Sequence, residues 1–396
     1  MEKNFYEGDS NVAQNQHTHS KKRKFKFSKS WKKKWLPYII GFASAFVLSI
    51  GLMFAFPTSI DIAPEKQQQQ EQSSDGWPNK VLAPFMDTTY WVPSSTGYSI
   101  GGVADIGKIA KDTDLRYFNL AFVNPSTTDA VADDGTINWC WGGYDSISKN
   151  NPNDGQYQGI LAAIKNVRDL GGDITISVGG QLGKAPWVVS NSEQKLYEMY
   201  KDIIQTYNLT RLDLDIEESN QGENENQINA KAIKRVQDET GVKIILTIPI
   251  MPDGWKEKQL KVINAYLDAG VNVELINSMT MCYGYGVYES EDYGDASVRA
   301  MENANKQLIE IYKSRGIPLS EADAYKKMGA TVSLGYESSL YPTFTPEMAS
   351  KVAEHARAKS YGMLSFWSVG RDAKLQENSG VTTKHEFLDQ MYQYLG

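Results

Sequence analysis

The sequence predicts an α/β fold, a (β/α)8 TIM barrel, preceded by a single N-terminal transmembrane helix and a linker. Three observations carry that prediction. Eight short apolar runs alternate with longer helical stretches from residue 81 onward. An uncharged apolar stretch, Leu36 to Phe56, follows a run rich in Lys and Arg. In "RLDLDIEESN", residues 211 to 220, carboxylates alternate with apolar residues along what reads as a buried strand.

The eight runs open with "VLAPFMD" (81–87) and "YFNLAFV" (117–123). They continue with "DITISVGG" (173–180), "LDLDIE" (212–217), "KIILTIPIM" (243–251) and "LINSMTMCY" (275–283), and close with "GATVSLG" (329–335) and "GMLSFWS" (362–368). Helical stretches fall at 156–170, 192–207, 223–240, 256–269, 296–315 and 346–359. In the first, Ile160, Leu161, Ile164 and Val167 form one apolar stripe. The second opens on Ser192 and keeps Leu196, Met199, Ile203 and Ile204 on one face. Strands alternating with helices imply parallel βαβ units. Eight units in about 315 residues fit a closed barrel, with a doubly wound open sheet as the alternative. Pro84 fits poorly, because a closed barrel has no edge to hide a missing N–H; a bulge is the one account the sequence offers.

The chain of 396 residues divides into a basic cytoplasmic tail (1–35), a signal-anchor (36–56), a flexible Gln-rich linker (57–79) and the barrel domain (80–396). At 1.5 Å per residue, the 21 uncharged residues reach across a bilayer core of about 30 Å. Nine Lys or Arg between Lys21 and Lys34 put the tail inside and the barrel outside. A cleaved signal peptide is the competing reading, but the apolar run is long and no small-x-small site follows. The first 35 residues carry net +7 against −7 for the whole, so the remainder is −14, which argues against a nucleic-acid partner. Cys140 and Cys282 are the two cysteines, and spacing leaves open whether they are bridged. Four scattered histidines give no zinc spacing, and no dinucleotide or P-loop fingerprint is present.

Asp213, Asp215 and Glu217 share one face of their strand, about 6.6 Å from one to the next. Leu212, Leu214 and Ile216 take the other. In a barrel the acids point inward, with Glu217 at the C-terminal mouth, and Glu218 turns away in a structural role. Three close carboxyls cannot all ionise cheaply, so at least one should keep a proton at neutral pH, as a general acid must. A divalent-ion site or a structural hydrogen-bonded network are the other readings of the spacing.

Asp213-x-Asp215-x-Glu217 resembles the Asp-x-Asp-x-Glu signature of glycoside hydrolase family 18, the chitinases and endo-β-N-acetylglucosaminidases. The likeness covers most of residues 81 to 372. "SVGG" (177–180) resembles the third-strand Ser-x-Gly-Gly, "MTMCYGYG" (279–286) the sixth-strand Met-x-Tyr, and "LSFWSVGRD" (364–372) the eighth-strand Trp segment. With "APFMDTT", these look most like the branch related to archaeal chitinases.

The resemblance implies retaining, substrate-assisted hydrolysis of β-1,4 bonds next to N-acetylglucosamine, and it alone implies that no metal or organic cofactor takes part. Glu217 would be acid and base, Asp215 would orient the acetamido group, and Asp213 would share its proton. Tyr283 would hydrogen-bond the acetamido carbonyl, Trp367 would floor the sugar, and Met281 belongs to the same Met-x-Tyr motif. Apart from the resemblance, Tyr285 and Asp87, near strand C-termini, are candidate substrate contacts. For Asp87, a turn or helix-cap role is an equal reading. Trp91, Trp139, Trp141, Trp187 and Tyr288 are further candidate stacking positions. The sequence departs from the longer motif at Thr210 and Arg211, where the family has Asp-Gly, and at Gly284, where an Asp often follows the tyrosine.

The expected partners are an N-acetylglucosamine-containing polysaccharide and, through the apolar helix, a membrane, with the barrel acting as a monomer. Glycan or peptidoglycan endo-β-N-acetylglucosaminidase action, or non-catalytic carbohydrate binding at the cell surface, are the alternatives.

Overall fold

The computed structural model describes residues 76–289 and 291–396. The chain divides into two units, Met1–Lys66 and Gln67–Gly396, and every described residue belongs to the second. The expected tail, transmembrane helix and most of the linker lie outside the described residues. Among the described residues no helix is long and apolar enough to cross a membrane.

Strands β1 (Val81–Leu82) and β2 (Phe85–Asp87) form the first stave of the barrel in two pieces. A small antiparallel ribbon, β3 (Ser99–Ile100) with β4 (Val103–Ala104), precedes helix α1 (Ile106–Thr113). The remaining strands are β5 (Tyr117–Pro125), β6 (Trp139–Trp141), β7 (Asp173–Gly179), β8 (Arg211–Asp215), β9 (Lys243–Pro249), β10 (Val273–Met279), β11 (Met328–Ser333) and β12 (Met363–Trp367). The helices are α2 (Gly155–Asp169), α3 (Pro186–Val189), α4 (Glu193–Tyr207), α5 (Glu223–Thr240), α6 (Glu257–Asp268), α7 (Tyr285–Tyr288), α8 (Tyr293–Lys313), α9 (Glu321–Lys326), α10 (Pro346–Lys359), α11 (Val369–Asp372) and α12 (Glu386–Met391). All the staves are parallel, and the sheet closes where β12 pairs with β2. The barrel reading holds, and the open-sheet alternative falls with that closure.

Caps set where the main helices begin. Asp154 accepts from the Tyr157 N–H at the head of α2, and Ser192 from Lys195 at the head of α4. Asp292 accepts from Asp295, so α8 starts at Tyr293, three residues before the periodicity alone suggests. The misfit at Pro84 resolves in the same local terms. Val81 and Leu82 pair with β12, Phe85 resumes pairing with Asn119 of β5, and Pro84 occupies the break between them. Its carbonyl accepts from the Asn119 N–H (2.9 Å), while the donor it lacks falls where no ladder bond is due.

Two cores result. Leu212, Leu214 and Ile216 lie fully buried between the strands and the helices, as the alternation predicts. Inside the barrel, Val81, Ala83, Ile245, Leu275 and Met363 fill the bottom layer together with Trp77. Trp77 falls in the segment the sequence reading assigned to the linker, yet it is only 2 % exposed. Its indole donates to Asp173 (3.1 Å), stacks near Tyr117 (4.5 Å between centroids) and lies 4.4 Å from the Arg211 guanidinium. The folded unit therefore begins before residue 80. Its last turn returns to the same place, with Lys80 lying over the Tyr394 ring (5.1 Å).

Candidate active site

Strand β8 ends at Asp215, and Glu217 follows at the mouth, heading a short 3-10 turn over Glu218–Gln221. The inward face carries Asp213, fully buried, then Asp215, then half-exposed Glu217. Above the apolar bottom layer the interior turns polar. Asp213 accepts from Ser177 on β7 (2.6 Å) and from Thr247 on β9 (2.6 Å). Asn277 on β10 donates to Thr247 (2.9 Å), and Thr331 on β11 donates to Asn277 (2.9 Å). One hydrogen-bonded chain thus links five adjacent staves beneath the mouth.

Among the described residues no Lys or Arg lowers these acids, and each carboxyl is pushed upward. Burial is the main cause for Asp213, whose two hydroxyl donors pull the other way and leave it at about 7. Burial again leads for Asp215, followed by the like charges of Glu217 and Asp213, and its carboxyl stands well above the usual range. Glu217 reaches about 7 through burial and the neighbouring Glu218 charge, opposed by its hydrogen bond with Asp215. Each carboxyl acts on the other, so the titrations of Asp215 and Glu217 are linked. Among the described residues no group of three carboxylate, histidine or cysteine side chains converges as metal ligands would.

The third-strand glycines let the acids sit this close. A Cβ on Gly179 would fall 2.2 Å from the Asp215 carbonyl, and one on Gly180 would fall 3.0 Å from the Phe122 ring. Phe122 stacks on Trp367 (5.6 Å, 15° between planes), and Phe85 lies 6.2 Å from Trp367. These three rings form an apolar floor beside the acid pair. Arg371 on α11 completes one wall with a two-pronged ion pair to Glu337 (2.6 and 3.1 Å) and a hydrogen bond to Ser333 (2.9 Å). A protonated carboxyl above an apolar floor can hand a proton to a weakly basic atom of a bound ring.

The structure brings together Asp213, Asp215, Glu217 and Trp367, and revises some of the other expectations. Tyr283 is buried beside Ser297 and Thr280, packed near Tyr288 (6.2 Å) and Tyr293 (6.0 Å) on the α8 side. Cys282 is exposed, and the charges acting on its thiol include Glu337, Arg371 and Glu217. Strand β10 ends at Met279, and Cys282 adopts a left-handed φ of 56°, which interrupts the alternation. Met281 is half-buried in that connection, and Tyr285 opens α7.

Asp87 ends β2 with its carboxylate accepting from the Thr89 N–H (2.9 Å) and hydroxyl (2.8 Å), which is the turn role. Trp139, Trp141 and Trp187 are core, with indoles engaged by Asp202, Tyr207 and Asn220. Tyr288 packs with Tyr293 of α8 and with Tyr283, and Trp91 is exposed. Cys140 is buried, and neither cysteine is bridged.

Phe122, Glu337 and Arg371 were not singled out from the sequence. A register shift between Leu120 and Val123 redirects Phe122, and alternation cannot announce such a shift. Glu337 and Arg371 meet across 34 residues, with no shared motif to signal it.

No protein-family model matches the chain. It is 28% identical over 309 residues to the probable bifunctional chitinase/lysozyme of Escherichia coli (strain K12), covering 75% of this chain and 31% of that protein. It is likewise 28% identical over 309 residues to Endochitinase 11 of Metarhizium anisopliae, covering 53% of that protein. The chain thus spans from under a third to about half the length of these curated relatives. Among solved structures, active domain 2 of a thermostable chitinase from Pyrococcus furiosus, complexed with chito-oligosaccharides, superposes with a TM-score of 0.65. That match has 25% identity over 80% of this chain and 95% of that one. A family GH18 chitinase from Chromobacterium violaceum, at 17% identity and a TM-score of 0.52, shares the fold.

Proposed function

We propose that this chain, which belongs with the family 18 chitinases, hydrolyses β-1,4 bonds next to N-acetylglucosamine in chitin-like oligosaccharides. The observation that carries the proposal is the run of inward acids Asp213, Asp215 and Glu217 at the end of β8, with both Asp215 and Glu217 pushed upward, together with the Trp367–Phe122 stack. Glu217 protonates the glycosidic oxygen as the bond to the anomeric carbon breaks. The substrate's own 2-acetamido oxygen attacks that carbon with inversion, giving an oxazolinium ion. The later attack of water inverts it again, so the net outcome is retention. Asp215, released from Glu217, stabilises the acetamido nitrogen's charge, while Asp213 backs it with a second acidic group. Water then opens the ring, with Glu217 taking its proton. Tyr283, whose buried hydroxyl has no hydrogen-bond partner among the described residues, keeps its proposed role as donor to the acetamido carbonyl.

A second reading is cleavage of N-acetylglucosamine-containing peptidoglycan strands. The lysozyme half of the Escherichia coli relative's name favours it. The basic run and apolar stretch before residue 57 support a further proposal, that the barrel is tethered at the outer face of a cell membrane. Resistance of the full chain to high-salt and alkaline extraction supports the tether, and release of a shortened soluble form overturns it.

The test of the activity is incubation of the full chain with N-acetylglucosamine oligomers, read by product mass, beside Glu217→Gln. The variant should lose about 10²–10⁴-fold in rate yet retain oligomer binding. Hydrolysis by Glu217→Gln at the parent rate rejects the acid assignment. Saturable binding by both proteins without cleavage moves the reading to a lectin.

A further inference from the structure

The turn after Glu217 is held through one buried residue, by both its backbone and its side chain. Asn220 is 1 % exposed, and five hydrogen bonds converge on it. Its N–H donates to the Glu217 carbonyl (2.8 Å). Its Nδ2 donates to the Gly180 carbonyl (2.9 Å), and its Oδ1 accepts from the Ala185 N–H (3.0 Å). Its own carbonyl accepts from Trp187 Nε1 (2.8 Å) and from Asn226 Nδ2 (2.9 Å). Behind Asn226 the bonds run on through Tyr266 (3.2 Å) to Asn229 (2.7 Å) and Tyr200 (2.9 Å), reaching α6, α5 and α4.

The other end of this clamp leads back into the site. Gly180 donates its N–H to the Asp215 carbonyl (3.1 Å) and lies under the Phe122 ring, which stacks on Trp367. One amide therefore ties the turn carrying Glu217 to the segment that supports both Asp215 and the aromatic floor. Both partners specify its chemistry. The oxygen must face an N–H and the NH2 must face a carbonyl, so an aspartate would set a carboxylate oxygen against the Gly180 carbonyl. Alanine would leave that buried carbonyl and the Ala185 N–H unpaired.

We propose that Asn220 is the positioning residue of the site, holding Glu217 in register with Asp215 and with the aromatic floor while touching none of the reacting atoms. The proposal rests on the reading of Glu217 as the proton donor. Loosening the clamp moves the carboxyl off its line and lets water reach it, which lowers the pH at which it gives up its proton.

The test compares the full-length parent with Asn220→Ala, Asn220→Asp and Trp187→Phe on N-acetylglucosamine oligomers across pH, with Glu217→Gln as reference. For Asn220→Ala we expect a kcat lower by about 30- to 100-fold, KM within about twofold, and a high-pH limb displaced downward by at least about half a pH unit. Asn220→Asp should behave similarly, and Trp187→Phe should shift the same way by less. A folded Asn220→Ala that keeps the parent's kcat and limb, or whose loss is confined to melting temperature, overturns the proposal. Should Asn220→Ala not fold, parental kcat and limb in Trp187→Phe overturn it instead. A parent that cleaves nothing, or a Glu217→Gln that cleaves like the parent, removes the reading of Glu217. An active parent, an inert Glu217→Gln and unaffected Asn220 and Trp187 variants remove this proposal alone.

Discussion

The two ends of β8 treat charge in opposite ways. At the bottom, Arg211 is paired with Glu274 (2.9 Å) and lies against the Trp77 ring, while Asp173 takes bonds from Trp77 and Arg168. At the top, Asp215, four residues later, and Glu217, just past the strand's end, stand together, and no Lys or Arg of the described residues is among the charges acting on them. The bottom neutralises its charges and gains stability. The top keeps like charges crowded, which costs stability and raises the proton affinity of the pair. That contrast follows the division of labour in such barrels, with structure at one end and chemistry at the other.

The contrast breaks first if a bottom residue proves to govern chemistry. Trp77→Ala should destabilise the fold by about 3–5 kcal/mol through the cavity it leaves. Its kcat and pH profile, measured well below the melting point, should match the parent. An altered pH profile would show that the two ends are coupled.

A smaller effect sharpens the cost at the top. Folded Asp213 holds its proton to about pH 7, whereas an unfolded aspartate releases it near 3.8. The folded chain therefore binds more protons in that window, and this stability is fully present below about 4, declines as pH rises and is lost by about 7. Asp213→Asn should flatten the decline by up to about 1.4 kcal/mol per pH unit, read from denaturant midpoints across pH. An unchanged slope would mean that Asp213 is already ionised when folded.

The smallest effect concerns Glu218. Its charge raises the Glu217 carboxyl, so Glu218→Gln should lower it and move the high-pH limb of activity downward by about a few tenths of a pH unit. Salt should erase the difference. An upward shift, or one indifferent to salt, would place the cause elsewhere than in that charge.

The staves and their inward acids were legible because strand alternation is a local signal, and Leu212, Leu214 and Ile216 alternate cleanly with Asp213, Asp215 and Glu217. Reading failed where the backbone leaves that period. At Cys282 a left-handed residue interrupts the alternation, so which way Tyr283 points was not legible from the strand period. The strand β6 escaped notice because "WCW" is too short for periodicity, although it pairs with β5 at Val123–Pro125. Asn220 is not marked by any local signal, because its side chain meets Gly180 and Ala185, 40 and 35 residues away in sequence.

Trp77 and Tyr394 carry one more consequence. The first described turn packs beneath the barrel, and Lys80 reaches the ring of a residue two places from the end of the chain. Both ends of the folded unit thus emerge side by side on the face opposite the mouth. A fusion partner, affinity handle or solid support attached at either end would leave the cleft clear. A circular permutant joining residue 396 to residue 76 through a short spacer, reopened in a surface connection such as the one before α9, would need no rearrangement of β8 or its acids.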